Sequence, residues 1–180
     1  MKLSTRKLSS CALFCALTAV FSQISLPLPF TPIPVNLATL SVLMAGGLLG
    51  ASGGGWSMAV YLLLGFAGLP VFSGFRGGAA ALAGPTGGYL AGYLAAAVVT
   101  GLLLSPKENR LFPHFLAMGA GIAVCYTLGT AWFMTLTHSQ LVPAFGMCVL
   151  PFLPGDGVKI AAASLLCVRI KKAAGNLIPF

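Results

Sequence analysis

Acidic side chains are almost absent from this chain of 180 residues, because Glu108 and Asp156 are the only two. Charged residues make up 7% of the chain, whereas soluble domains carry about 25%. A glycosidase-like enzyme needs two neighbouring carboxylates, which two acids so far apart in sequence do not supply. The formal net charge of +8 would favour nucleic-acid binding only if the basic residues formed an exposed patch. The long uncharged stretches offer no such patch, so a glycosidase-like enzyme and a nucleic-acid-binding protein are both excluded.

Long runs without any charged residue account for most of the chain. They cover residues 8–75, 77–106 and 111–155. A transmembrane helix needs about 20 mostly apolar residues, so these runs, together with the segment after Asp156, predict about six spans. We therefore expect an all-α integral membrane protein, with residues 1–180 forming one domain without a separate soluble part.

Proline and glycine clusters predict where the helices end, since both residues interrupt helical continuity. The proline-rich segment 27–34, the glycine-rich segment 50–55 and the loop 73–78 separate the first helices. Residues 138–154 are expected to form a short helix or a re-entrant segment. The predicted helices are residues 8–24, 35–49, 56–69, 85–105, 113–136 and 155–172.

Basic residues predict the orientation, because they remain on the cytoplasmic side of membrane proteins. With six spans and both termini in the cytoplasm, eight of the ten lie inside: Lys2, Arg6, Lys7, Lys107, Arg110, Arg169, Lys171 and Lys172. Arg76 would lie outside, and Lys159 at the outer end of the last helix. The first segment also resembles a cleaved signal peptide, but no small-residue cleavage site follows Val20, which favours a retained helix.

Asp156 and Lys159 are the strongest candidates for a functional site. They are three residues apart at the start of the last predicted helix and therefore share one face. Asp156 could instead cap the helix, but Lys159 would then be at the end that disfavours positive charge. A mutually neutralising ion pair without a ligand is the other alternative. Ionisable residues within membranes usually mark a ligand site or pathway, which favours function.

Other features are weaker indications. Gly84-Pro85-Thr86-Gly87-Gly88-Tyr89 opens the fourth predicted helix, and Tyr89 could line a site or belong to an interfacial aromatic belt. This segment lacks the Lys-Ser/Thr pair of a phosphate loop. The spacing of Ala12 and Ala16 favours close helix packing. The five cysteines and two histidines show no metal-ligand spacing, so no metal or cofactor is predicted.

The chain resembles the BioY family along nearly its whole length. The resemblance is carried by segments 23–35 (QISLPLPFTPIPV), 68–72 (GLPVF), 84–89 (GPTGGY) and 153–159 (LPGDGVK). Members of that family are biotin-binding S components of energy-coupling factor (ECF) transporters in prokaryotic cell membranes. The resemblance implies six helices, a pocket near the outer face and cytoplasmic termini. It also implies that Ala12 and Ala16 dock on a transmembrane coupling subunit, which carries two ATPases.

The chemistry of biotin suggests roles for the candidate residues. Asp156 could accept hydrogen bonds from the ureido N–H groups, which would be charge-assisted. Lys159 could pair with the carbonyl or carboxylate of biotin, or hold Asp156 in place. Phe72, Tyr89 and the proline-rich loop would form apolar walls, with Thr86 beside them. Arg76 would bind or steer the carboxylate, or else be a solvated loop charge.

The sequence alone leaves three alternatives to a biotin S component. The chain could be an S component for another small vitamin, or a secondary biotin carrier without partners, although only Asp156 could then couple to an ion. An intramembrane enzyme should show a nucleophile with a base, or several metal ligands, and neither is visible. No nucleotide-binding motif is present, so we predict a transporter subunit that depends on partner ATPases.

Overall fold

The computed structural model describes residues 5–29, 31–105 and 108–174. Lys2, Lys107 and Phe30, which entered the predictions above, lie outside the described residues. In the described part the chain forms seven helices and one two-stranded sheet. Because α3 is only five residues long, the all-α bundle of about six helices is confirmed. The elements are α1 Thr5–Gln23, β1 Ser25–Leu28, β2 Thr31–Asn36, α2 Ala38–Phe66, α3 Ala79–Ala83, α4 Gly87–Leu103, α5 Leu111–Thr137, α6 Leu141–Cys148 and α7 Leu153–Ala174.

Several helices are long and apolar enough to cross a membrane. By length and composition, α2 with 29 residues and α5 with 27 residues qualify alone. Helices α6 and α7 qualify together, with a bend of 51° between them, which agrees with the short helix or re-entrant segment predicted for 138–154. Helix α4 is apolar but has 17 residues.

A sharp turn divides α2 at Gly50, where the sequence predicted a boundary between two helices. Gly50 has φ 69° and ψ −177° inside the helix, a conformation that glycine adopts without the steric cost of a Cβ. A Cβ added to Gly54 would lie 3.0 Å from the Gly46 Cα. The segments before and after Gly50 therefore pack against each other, and the prediction of two helices here is confirmed.

Small residues hold the bundle together. Helix α4 packs against both α2 and α5, while α1 packs on α2 and α7 packs on α2 and α5. A Cβ added to Gly46 would lie 2.4 Å from the Ala97 carbonyl oxygen, and one added to Gly92 would lie 2.9 Å from the Cys125 Sγ. Such close backbone approach is how helices associate in lipid, where the hydrophobic effect does not drive them together.

The outer surface is rich in large apolar side chains. Leu13 is 64% exposed, Leu102 71% and Phe112 70%. Polar residues such as Thr18, Ser41 and Thr100 are buried inside the bundle instead. An apolar exterior of this extent indicates a surface that lies against lipid.

The proline-rich segment forms a β-hairpin, which the sequence did not predict. Strands β1 and β2 are antiparallel and pair Ser25 with Asn36, Leu26 with Val35 and Leu28 with Thr31. Proline is excluded from helix interiors and central strands, but an edge strand tolerates it. In a sheet of two strands, both strands are edges. The hairpin joins the end of α1 to the start of α2.

Candidate functional site

A cavity of about 270 Å³ lies at the end of the bundle where α1 ends and α2, α4 and α7 begin. We call it the site cavity. The hairpin, the loop before α3, the first turns of α4 and the middle of α5 form its walls. The first two turns of α7 contribute Asp156 and Lys159. All six residues predicted from the sequence for ligand binding line this cavity: Asp156, Lys159, Tyr89, Phe72, Arg76 and Thr86.

Lys159 is buried and fully hydrogen-bonded. Its Nζ donates to Asp156 Oδ1 at 2.7 Å, to the Asn36 carbonyl oxygen at 2.6 Å and to Thr39 Oγ1 at 3.1 Å. An ammonium group has three N–H donors, so each has an acceptor within the protein. Lys159 therefore has no free donor for a ligand in this arrangement.

The Asp156 carboxylate is buried and accepts hydrogen bonds from three side chains. Besides Lys159, Oδ1 accepts from Thr39 Oγ1 at 3.3 Å, and Oδ2 accepts from the Tyr126 hydroxyl at 2.5 Å. A carboxylate offers about four acceptor positions, so about one remains for a ligand. In the described chain the carboxylate makes no hydrogen bond to a backbone N–H of α7, so it does not act as a helix cap.

Asn36 connects the hairpin to the loop before α3. Its Oδ1 accepts from the Ala38 backbone N–H at 3.1 Å and from the Tyr93 hydroxyl at 3.3 Å. Its Nδ2 donates to Ser73 Oγ at 2.7 Å. A side-chain amide has two N–H donors, and the second has no partner among the described residues. This donor is therefore available in the site cavity.

Aromatic rings form much of the apolar wall. Phe72 is 3% exposed, and its ring meets Tyr61 edge to face with centroids 5.4 Å apart. Its close approach to α2 requires Gly65, where an added Cβ would overlap the Phe72 ring. The Tyr89 hydroxyl donates to the Cys148 carbonyl oxygen at 2.7 Å. Tyr89 is therefore an anchored, buried wall of the cavity and does not belong to an interfacial belt.

Arg76 and Thr86 lie nearer the rim. Arg76 is exposed, and its backbone pairs with that of Phe72 through two hydrogen bonds. Thr86 precedes α4 and makes no side-chain cap bond. Within the described chain, neither side chain has a hydrogen-bond partner, so both are available to a ligand.

Ala12 and Ala16 are separate from the site cavity. Both are exposed on α1, whereas Phe14, Cys15 and Thr18 of that helix are buried. The two alanines therefore lie on the outer face of α1, where a partner helix could approach closely.

Sequence reasoning missed five polar residues that complete the site. Each is an uncharged polar side chain inside a run that lacks charge, which is the only sequence signal they give. They are Asn36, Thr39, Ser73, Tyr93 and Tyr126.

A metal site is not apparent in the part of the chain that the structure describes. No group of three or more His, Cys, Asp or Glu residues is close enough to hold an ion there. His114 lies near the start of α5, and His138 directly follows its end.

Comparisons with known proteins agree with this architecture. The model of the BioY family matches residues 1–176. A biotin transporter BioY from Thermotoga maritima is 40% identical over 168 residues, which cover 93% of this chain and 96% of that protein. A probable biotin transporter BioY from Pyrococcus horikoshii is 36% identical, covering 94% and 98%.

A solved structure has the same fold. It is the crystal structure of the S-component for biotin from an ECF-type ABC transporter, with a TM-score of 0.86 and 27% sequence identity. The match covers 95% of each chain. Agreement of fold and sequence over nearly the full length means that this chain is a transporter component and a membrane protein, and that it belongs to the BioY family.

Proposed function

We propose that the chain is the biotin-binding S component of an ECF transporter, and that the site cavity is its binding site. The observation that carries the proposal is the Asp156–Lys159 pair, whose charges balance inside a largely apolar cavity. A neutral ligand head with N–H donors suits such a pair better than a fully charged ligand, because burying an extra charge is costly. The ureido ring of biotin is a head of this kind.

The hydrogen-bonding groups of the cavity complement the ureido ring. Asp156 has about one open acceptor position for a ureido N–H. Asn36 Nδ2 has a free donor for the ureido carbonyl. Since the three donors of Lys159 are used within the protein, its role is to hold the Asp156 carboxylate in place. Of the roles considered for Lys159 from sequence, this is the one that the geometry supports.

The remaining groups suit the rest of the ligand. Phe72 and Tyr89 provide buried rings for the apolar bicyclic body, as small-molecule pockets usually do. Arg76 at the rim is available to the carboxylate of the aliphatic tail, and Thr86 lies beside the Tyr89 wall. These contacts support a pose with the ureido ring deep in the cavity and the carboxylate towards solvent.

The positions of the basic residues support an orientation in the membrane, and the exposed alanines of α1 support a partner. The site cavity would face outward, because Arg6, Lys7, Arg169, Lys171 and Lys172 lie at the helix ends away from it, where the cytoplasm is expected. Both termini would then lie in the cytoplasm. The exposed Ala12 and Ala16 would dock on the ECF coupling subunit, whose two ATPases drive uptake. The chain binds no nucleic acid in this scheme and has no ATPase site.

A binding measurement on the purified protein tests the site. Asp156→Asn should weaken biotin binding at least tenfold, which is about 1.4 kcal/mol, because the neutral amide is a weaker acceptor. Glu108→Gln removes the only other acid of the chain and should leave the affinity unchanged, since Glu108 does not line the cavity. Unchanged affinity of Asp156→Asn would contradict the site, and stronger binding of thiamine or riboflavin would contradict the substrate.

Uptake by whole cells tests the partners. Ala12→Leu and Ala16→Leu should leave biotin affinity intact but lower uptake, because a larger side chain prevents close helix packing. Ala123→Leu is the matched control, since Ala123 is exposed on α5. Equal uptake by all three variants would contradict the docking face. Uptake that persists without ECF ATPases and responds to an ionophore would indicate a secondary carrier instead.

A further inference from the structure

Gln23 is the last residue of α1, and its side chain holds the loop that carries two residues of the site cavity. Its Nε2 donates to the carbonyl oxygens of Pro70 at 3.4 Å and Phe72 at 3.2 Å. Its Oε1 accepts from the Phe75 backbone N–H at 2.9 Å. Because carbonyl oxygens only accept and a backbone N–H only donates, this orientation of the amide satisfies all three groups. One side chain therefore ties both arms of the loop to the end of α1.

Phe75 has a backbone conformation that bulky residues rarely adopt. Its φ is 57°, in the left-handed region, which is sterically unfavourable for residues with a Cβ. Its side chain is 72% exposed and does not line the site cavity, so the ring gains little from packing. The hydrogen bond from its N–H to Gln23 favours this conformation instead.

The strained residue lies in a tight turn that ends at Arg76. The Phe72 N–H donates to the Arg76 carbonyl oxygen at 3.0 Å, and the Arg76 N–H donates to the Phe72 carbonyl oxygen at 3.2 Å. Three residues lie between them, and one of these, Gly74, also has a positive φ, of 72°. In so short a turn, the direction of the chain at Arg76 depends on the φ of Phe75 directly before it. Gln23 therefore influences where Arg76 lies.

The two cavity residues on this turn are held in different ways. The Phe72 ring packs closely over Gly65 and meets Tyr61 edge to face, so contacts with α2 fix it independently of Gln23. Arg76 lines the site cavity with an exposed side chain, and its placement depends on the backbone of the turn. Loss of the hydrogen bonds of Gln23 should therefore displace Arg76 more than Phe72.

We infer that Gln23 is a positioning residue for the carboxylate end of the ligand. It holds Phe75 in its strained conformation, and this keeps Arg76 at the rim of the site cavity. The inference rests on the proposed function, because it requires a ligand whose tail ends in a carboxylate that meets Arg76. Gln23 itself does not line the cavity, so it acts on the charged tail through Arg76 and not on the ureido ring.

Calorimetric titration of the purified full chain with biotin and with biotinamide, whose tail ends in an uncharged amide, tests this inference at low ionic strength. Gln23→Met keeps the length of the side chain but removes its hydrogen bonds. It should weaken biotin binding about threefold, within the range of an exposed ion pair, and leave biotinamide binding unchanged. Gln140→Met is the matched control, since it replaces the only other glutamine of the chain, which does not line the cavity. It should change neither affinity.

Two further variants distinguish positioning from a general loss of structure. Phe75→Asn in the Gln23→Met background should restore most of the biotin affinity, because asparagine adopts the left-handed conformation more readily. Phe75→Asn alone should leave the affinity unchanged, since Phe75 does not line the cavity. Adding Gln23→Met to Arg76→Gln should weaken biotin binding no further, because Gln23 acts through Arg76.

Three results would overturn the inference while leaving the proposed function intact. Equal weakening of biotin and biotinamide binding by Gln23→Met would mean that Gln23 supports the whole cavity. Failure of Phe75→Asn to restore affinity would mean that Gln23 does not offset strain at Phe75. Additive losses in the Arg76→Gln background would mean that Gln23 acts through another residue. If the wild-type protein binds neither biotin nor biotinamide, the proposed function is wrong and the inference is wrong with it.

Discussion

The two ends of the bundle each hold a cavity of similar volume with a buried lysine, but their charges are balanced differently. Lys159 in the site cavity has Asp156 as a counter-ion and all three of its donors are used. Lys171 lines a second cavity, of about 240 Å³, at the opposite end of the bundle; it is buried to a similar extent and has no hydrogen-bond acceptor within the described residues. A buried ammonium needs a partner in either case. Among the described residues, the chain supplies such a partner to Lys159 but not to Lys171.

Breaking the Asp156–Lys159 pair should cause the largest change in stability. Asp156→Ala leaves Lys159 buried without its counter-ion, as Lys171 is, and should lower the free energy of unfolding by about 3–5 kcal/mol. The double variant Asp156→Ala/Lys159→Met should recover most of the loss because no unpaired charge remains. Denaturation of the detergent-solubilised protein measures both.

Lys171→Met is the control for that experiment at the other end. It removes a buried lysine whose charge has no partner in the described chain, so the free energy of unfolding should stay the same or rise. A loss as large as that of Asp156→Ala would mean that Lys171 contributes to stability as the Asp156–Lys159 pair does, and that the two ends are equivalent.

Weakening the Asp156–Lys159 pair without removing its charges should have an intermediate effect on stability. Thr39→Val keeps the shape of the side chain but removes one acceptor of Lys159 and one donor to Asp156. Loss of hydrogen bonds to charged groups should cost about 1.5–3 kcal/mol in stability. Thr127→Val on α5 is the matched control, because Thr127 is exposed and bonds only the Ala123 carbonyl oxygen. Equal effects in both variants would show that Thr39 does not support the pair.

Removing the positive charge of Arg76 at the rim of the site cavity should have the smallest effect, and this effect is on biotin binding. Arg76→Gln should weaken biotin binding by about fivefold at most, since an exposed ion pair contributes little. The effect should shrink as salt is added, because exposed charges are screened. Titration calorimetry at low and high ionic strength measures it. No effect at low salt would mean that Arg76 is a solvated loop charge, which was the alternative from sequence.

The class of fold and the centre of the site could be predicted from the sequence because both depend on residues that are close together along the chain. Uncharged runs and glycine clusters specify helices and breaks within a few turns of chain, and the turn at Gly50 followed from them. Asp156 and Lys159 are three residues apart, so helical periodicity alone places them together. The hairpin at 25–36 was missed because proline argues against strands unless both strands are edges.

The hydrogen-bond partners of Asp156 and Lys159 could not be predicted in the same way. Thr39 is 117 residues from Asp156 in sequence, Asn36 is 123 from Lys159, and Tyr126 is 30 from Asp156. Nothing in local periodicity brings these positions together. They meet because β2, α2, α5 and α7 pack around the site cavity.

Sequence by itself determined that this chain belongs in a membrane, forms a helical bundle and carries one acid–base pair on one helical face, because these depend on composition and on helical periodicity. The tertiary structure decided that Lys159 is saturated by acceptors from distant segments, so that Asp156 and Asn36 are left to meet a ligand. It also decided that Lys171 is buried at the other end, where the described residues offer it no such acceptor. Both outcomes depend on how the helices pack, which places residues from different helices within hydrogen-bond distance or leaves a cavity between them.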